Sequence, residues 1–273
     1  MGEGSDYSIV ELEKSDWPAF CACLTPEDAT VQEAPAMKER WLETRTHENF
    51  GAKLARLSNG APAGMIQYLP IEESSAEGHD LWFIYCIWIP PKRRHPAGQQ
   101  RARGIGKALL RAAEEDVRSR GAKGIAAWGG TLPLFMQSKW FKKCGYQACD
   151  RQGIMELVWK PFADDAVAPN WARTEERGFS PDTAARPGGT VSVAAYISGI
   201  CPAMNAVYHR FARAAEEIGD AVRLETIDMT EPGPDGPRRQ IDAVFVNGEE
   251  FPMGPPPSYR KIKAALRKAA KAR

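Results

Sequence analysis

Arg101-Ala-Arg-Gly-Ile-Gly-Lys-Ala-Leu-Leu110 is the stretch on which the reading of this chain turns. It carries the spacing Arg-x-x-Gly-x-Gly and passes at once into a helical pattern, with Ile105, Ala108, Leu109, Ala112 and Val117 on one side. Gly121 ends that pattern. Upstream lies Leu81-Trp-Phe-Ile-Tyr-Cys-Ile-Trp-Ile89, an apolar run stopped by Pro90-Pro91. Its lack of alternation predicts a strand covered on both faces. Strand, glycine turn and helix start together predict an anion cradle. Glycine lets the backbone approach a ligand closely, and the N–H groups of a first helical turn have no carbonyl of their own helix to bond. Such a cradle suits a pyrophosphate. The plainer reading is a helix start that happens to be rich in Gly and Arg. The flanking buried strand and amphipathic helix favour the cradle.

The pattern extends in both directions. Tyr7–Leu12 reads as a strand, and Ser15 or Asp16 caps a short helix with Pro18 in its first turn. Residues 34–48 read as a second helix, with Met37, Trp41 and Leu42 on its apolar side. Lys53–Leu57 and Ala63–Ile71 form a hairpin about Ser58-Asn59-Gly60. Downstream, a strand at Gly124–Trp128, a helix over Leu132–Cys144 and a hairpin of Gln147–Asp150 with Ile154–Lys160 complete a first domain, residues 1–162. Residues 163–188 mix Pro, Gly and charge with few aliphatics and read as a linker. Residues 189–273 hold a second unit: strand Val191–Ile197, a helix from Cys201-Pro202 to about Ile218, strand Ala221–Asp228, a hairpin of Ile241–Val246 with Glu249–Phe251 about Asn247-Gly248, and helix Ser258–Ala270.

Composition narrows the function. The chain has 273 residues, 43% hydrophobic and 26% charged, with a net charge of +1. Those values fit two globular domains and give no global pull toward nucleic acid or a membrane. No apolar run reaches a membrane span, and the polar, acidic start predicts no secretory leader. Six scattered cysteines predict a reduced, cytoplasmic setting. Cys21-Ala-Cys23 lacks a second ligand pair, so a short helix explains it better than a metal clip. The last helix is basic on one side and apolar on the other, the pattern of a packed helix with a solvated face.

The order of strand, Arg101–Lys107 turn, helix, strand, helix and closing hairpin resembles the GNAT N-acetyltransferase family. The resemblance implies an α/β (α+β) GNAT acyl-CoA N-acyltransferase fold, acetyl-CoA as acyl donor and a small-molecule amine as acceptor. It implies that Arg101, Ala102, Arg103, Gly104, Ile105, Gly106 and Lys107 hold the diphosphate. Backbone groups of Ile87, Trp88 and Ile89 would bond the acetyl and pantetheine amides. Lys92-Arg93-Arg94 stand open between a CoA 3′-phosphate contact and a solvated loop. The sequence departs from the family at the chemistry. Trp82 and Phe83 stand where members with a catalytic carboxylate carry Glu. In Phe141-Lys-Lys-Cys-Gly145-Tyr146, Phe141 stands where members with a general-acid tyrosine carry Tyr. Tyr85 is the preferred substitute acid, with Cys144, Ser138 and a water chain as alternatives; His79-Asp80 is a weaker base candidate.

In the second unit, Gly199-Ile-Cys-Pro-Ala-Met204 places Cys201 at a helix start, where the dipole favours thiolate. This resembles the reactive thiol of a thioredoxin-like domain, and the whole arrangement resembles acetyltransferases with a YoaP-type C-terminal domain. Met204 stands at the resolving position, and Asp242 or Ala243 where a cis-proline is expected, so dithiol exchange is not implied. A monothiol role for Cys201, a thiol- or metal-sensing site and a purely structural role stay open. The sequence does not set the oligomeric state.

Overall fold

The structure, a computed structural model, describes residues 6–24, 33–90, 104–132, 135–173, 177, 179, 190–231 and 238–271. Lys92–His95 and Arg101, Ala102 and Arg103 lie outside the described residues. The chain divides into two compact units. One takes residues to Glu27 and Arg45–Arg173; the other takes Asp28–Thr44 and Thr174–Arg273.

The first unit begins with β1 (Tyr7–Glu11) and α1 (Trp17–Cys21). The next helix, α2 (Glu33–Glu43), belongs to the second unit. The first resumes with β2 (Gly51–Leu57), β3 (Pro62–Pro70), the short β4 (Ala76–Glu77) and β5 (Leu81–Trp88). Then come α3 (Ile105–Ser119), β6 (Gly124–Gly130), α4 (Ser138–Lys143), β7 (Gln147–Gln152), β8 (Met155–Pro161) and β9 (Asn170–Trp171). Seven strands form one sheet in the order β1-β2-β3-β5-β6-β8-β7, while β4 and β9 pair separately. Every neighbour in the large sheet is antiparallel except β5–β6, which α3 joins as a crossover.

The apolar stripe of α3 explains its docking. Ile105, Leu109, Leu110, Ala113 and Val117 are buried in one cluster with Ile66, Tyr68, Trp82, Ile84, Ile125 and Val158 of the sheet. A charged cluster lies at the far end of the same helix. Tyr68 Oη donates to Asp116 Oδ2 at 2.6 Å, Arg120 reaches Asp116 Oδ2 at 2.6 Å, and Lys53 Nζ lies 3.3 Å from Asp116 Oδ1. Glu11 also pairs with Lys53.

The helix expected over Leu132–Cys144 is shorter, beginning only at Ser138. A Cβ at Gly129 would lie 2.6 Å from Ser138 Cα, so the chain crosses the end of β6 at a distance only glycine permits. Gly130 N then bonds Met136 O at 2.8 Å, and Met136 adopts φ +47°. That crossing sets the loop ahead of α4.

The second unit contains β10 (Val191–Ile197), α5 (Pro202–Ile218), β11 (Val222–Asp228), β12 (Ala243–Val246), β13 (Glu249–Glu250) and α6 (Tyr259–Lys271). Its sheet runs β11-β10-β12-β13, with β10–β11 parallel and the rest antiparallel. Asn247 and Gly248, at φ +52° and +84°, make the tight turn between β12 and β13.

Two segments depart from the sequence reading. The sequence pattern places helix 34–48 in domain 1–162, yet α2 packs in the second unit: Trp41 Nε1 donates to Gln240 Oε1 at 2.8 Å, and Asn205 Nδ2 donates to Ala34 O at 3.2 Å. The segment assigned as linker 163–188 is anchored at both ends. Asn170–Trp171 pairs with Ala76–Glu77 in the first unit. Arg177 makes two 3.0 Å bonds to Glu250 in the second, and Phe179 packs on Tyr196 and Phe245. A low density of aliphatics hid these few anchoring side chains.

Candidate active site

Strands β5 and β6 pair from Leu81↔Gly124 only as far as Ile84↔Ala127. Past that point β5 keeps its partner β3, with a bulge opposite Gln67/Tyr68 that leaves Tyr85 out of register. The two parallel strands therefore separate over the stretch that contains Tyr85, Ile87 and Trp88, with Ile89 just beyond the strand end. Backbone groups turned toward β6 there find other partners. Trp128 Nε1 donates to Tyr85 O at 2.8 Å, and Ile87 N donates to Met136 Sδ at 3.3 Å. Phe135 stands against both Trp88 and Trp128, with ring centroids 5.4 and 5.5 Å apart.

The α3 start meets this split. Gly104 is the N-cap with φ +81°, a conformation that suits glycine, and its carbonyl accepts the first intrahelical bond from Ala108 N at 3.1 Å. The N–H groups of Ile105, Gly106 and Lys107 thus have no carbonyl of α3 to bond. A Cβ on Gly106 would lie 3.2 Å from Ile89 Cδ1 and 3.3 Å from Trp140 Cζ2, so this glycine lets the helix start close onto the end of β5 and onto α4. Lys107 is exposed and Ile105 buried. Three consecutive donors, a positive helix end and a lysine make an arrangement able to hold a phosphate-bearing ligand. Ile87, Trp88, Ile89 and Gly104–Lys107 are thereby brought to one end of the parallel pair.

The acid and base candidates are spread more widely. Trp82, Phe83 and Phe141 are core residues. Tyr146 is buried, and burial beside Glu114 pushes its hydroxyl well above the usual tyrosine range. His79 and Asp80 precede β5 at the end away from the split, and Asp80 pairs with Lys123 at 3.3 Å. Ser138 is buried and bonds Glu156. Cys144 is half-buried; burial raises its thiol above the ordinary value while the Lys107 charge opposes the shift. Tyr85, half-buried at the bulge, lies on the split itself.

Sequence reasoning missed Trp128, Phe135 and Met136. The Gly129-Gly130 pair at the end of an apolar strand was the available signal, since paired glycines mark a close chain approach.

In the second unit, Cys201 is the half-buried N-cap of α5, and its carbonyl accepts from Asn205 N at 2.9 Å. Gly199, at φ +85°, passes close to α2: a Cβ there would lie 3.2 Å from Met37 O. Asp242, just ahead of β12, accepts from Ser198 N at 2.7 Å and Ser198 Oγ at 2.9 Å. Asp242 and Asn205 therefore tie down the turn that carries Cys201.

Residues 7–146, just over half of the chain, match the acetyltransferase (GNAT) family. The chain belongs to that family. Acetyl-CoA is the acyl donor used by its members. Among solved structures, the chain is similar to a GNAT family N-acetyltransferase (YhbS) from Escherichia coli in complex with CoA, at 10% identity and TM-score 0.44 over 63% of this chain and 93% of that one. It is similar to a GNAT family acetyltransferase from Brucella melitensis in complex with acetyl-CoA, at 13% identity and TM-score 0.41 over 63% and 98%. It is also similar to the paia N-acetyltransferase from Thermoplasma acidophilum in complex with coenzyme A, at 14% identity and TM-score 0.43 over 57% and 99%. No curated protein matches the chain. GNAT acetyltransferases act on small-molecule or protein acceptors. Among the described residues, no helix is long and apolar enough to cross a membrane.

Proposed function

We propose that this GNAT acyltransferase moves an acetyl group from acetyl-CoA to the amine of a small molecule by direct attack on the thioester. The observation that carries the reading is the parting of β5 from β6 beside the Gly104–Lys107 helix start. The diphosphate bonds the N–H groups of Ile105, Gly106 and Lys107, and Arg101, Ala102 and Arg103, which lie outside the described residues, are proposed as further contacts to it. The thioester and pantetheine lie along Ile87, Trp88 and Ile89. The amine nitrogen attacks the carbonyl carbon; the C–N bond forms, the C–S bond breaks, and the proton lost by nitrogen ends on the CoA sulfur. Tyr85 is the proposed relay: its hydroxyl gives a proton to the leaving thiolate and takes back the one lost by nitrogen, so the net transfer is from nitrogen to sulfur.

The second unit is proposed to be a thioredoxin-like (YoaP-type) domain, with Cys201 as its functional thiol in a reduced, cytoplasmic protein. A parallel β10–α5–β11 unit, an antiparallel hairpin and a cysteine at the α5 N-cap support this. Met204 stands at the resolving position, so exchange between two thiols is not part of the proposal.

The burial of Phe141, Trp82 and Phe83 favours a second reading: a CoA-binding protein with little turnover, joined to a thiol- or metal-sensing domain. One experiment separates the two. Calorimetric titration with acetyl-CoA is followed by CoA release against a panel of small amines. The proposal expects binding and amine-dependent release; binding with no release on any amine selects the second reading.

A further inference from the structure

We propose that Met136 governs the acyl subsite: its thioether competes with a thioester carbonyl for the Ile87 N–H, and its side chain bounds the acyl group. The inference rests on the acyl-CoA reading above. The paired register of β5 with β6 ends at Ile84↔Ala127. Ile87 stands in register with Ile66 of β3, yet its N–H points to the other side, where its acceptor is Met136 Sδ at 3.3 Å. A thioether is a weak acceptor, and a carbonyl oxygen is a stronger one.

The backbone of Met136 is held by its own contacts. Its carbonyl accepts from Gly130 N at 2.8 Å, its φ is +47°, and the chain that follows lies over Gly129. The side chain is only 6% exposed and belongs to the cluster under α3, so it is an interior group placed at the split. An unbranched methionine has the rotamers to leave the Ile87 N–H without moving its backbone. Phe135, its neighbour in the chain, meets Trp88 and Trp128, so Phe135 and Met136 together form a wall of the split.

The test uses the full chain and measures calorimetric affinities for CoA, acetyl-CoA and butyryl-CoA. Met136→Leu keeps the volume and removes the sulfur acceptor. It is expected to raise affinity for acetyl-CoA relative to CoA by roughly threefold to tenfold, the effect of removing one weak competing bond. Met136→Ala removes the competitor too, and is expected to raise affinity for butyryl-CoA relative to acetyl-CoA by a similar factor. Free CoA, which lacks the acyl carbonyl, reports through its diphosphate whether each variant is folded and competent. An acetyl-CoA to CoA ratio within twofold of wild type in Met136→Leu overturns the proposal; should that variant not fold, an unchanged butyryl-CoA to acetyl-CoA ratio in Met136→Ala overturns it. Wild-type protein that binds neither CoA nor acetyl-CoA overturns the acyl-CoA reading, and this inference with it.

Discussion

Gly104→Trp is expected to give a folded protein whose affinity for acetyl-CoA has fallen at least about 100-fold, equivalent to about 2.8 kcal/mol. Gly104 is exposed, and among the described residues a Cβ built on it would have a single neighbour within 4 Å, Tyr7 Oη at 3.5 Å. An indole there is expected to point into this open space without displacing core atoms and to obstruct the N–H groups of Ile105, Gly106 and Lys107. The φ of +81° adds a backbone cost of about 1–2 kcal/mol for any residue with a Cβ. Gly104→Ala carries that cost without the indole, so it is expected to melt like the tryptophan variant while losing less than about tenfold in affinity. Calorimetric titration paired with thermal melts separates the two effects. Unchanged acetyl-CoA affinity in folded Gly104→Trp places the diphosphate elsewhere.

Asp116→Ala is expected to destabilise the first unit by about 3 kcal/mol, because Lys53 and Arg120 would keep buried charges without their shared carboxylate. The side chains of Lys53, Asp116 and Arg120 are 7%, 12% and 14% exposed, so water does little to replace the lost partner. The midpoint of thermal unfolding should fall by roughly 10 °C, for a domain of this size. The site also predicts a pH dependence. Burial alone would raise the Asp116 carboxyl; the Tyr68 hydrogen bond and the charges of Arg120 and Lys53 outweigh it and hold the carboxyl below its ordinary value. Burial and the Asp116 bond push Tyr68 the other way, so its hydroxyl stays a neutral donor. A carboxyl depressed in the folded state stabilises fully above its unfolded value, near pH 4, and that contribution is lost as pH falls through the lower folded value. The stability gap between wild type and Asp116→Asn should therefore be constant near neutrality and narrow below about pH 4.

The parts of the fold that the sequence made legible share a cause. Periodicity marked β5, α3, β10 and α5 because each buries a broad, continuous apolar face, and elements of that kind announce themselves locally. Gly104 and Gly106 were legible because backbone geometry admits few other residues there. What escaped depends on contacts distant in sequence. The place of α2 in the second unit rests on Trp41 with Gln240 and Ala34 with Asn205, pairs separated by 199 and 171 positions. The anchors in 163–188 are one short strand pairing and the side chains of Arg177 and Phe179 in an otherwise polar stretch. The role of Met136 follows from a chain crossing at Gly129, which has no periodic signature and which a helical pattern over 132–144 concealed.

The central claim is that the parted end of β5 and the start of α3 together hold acyl-CoA. Amide hydrogen exchange on the full chain, with and without saturating acetyl-CoA, tests it most directly. The account predicts new protection over 84–89 and 104–110, including the N–H groups of Ile87, Ile105, Gly106 and Lys107. Acetyl-CoA that binds while exchange in both segments stays unchanged would contradict it.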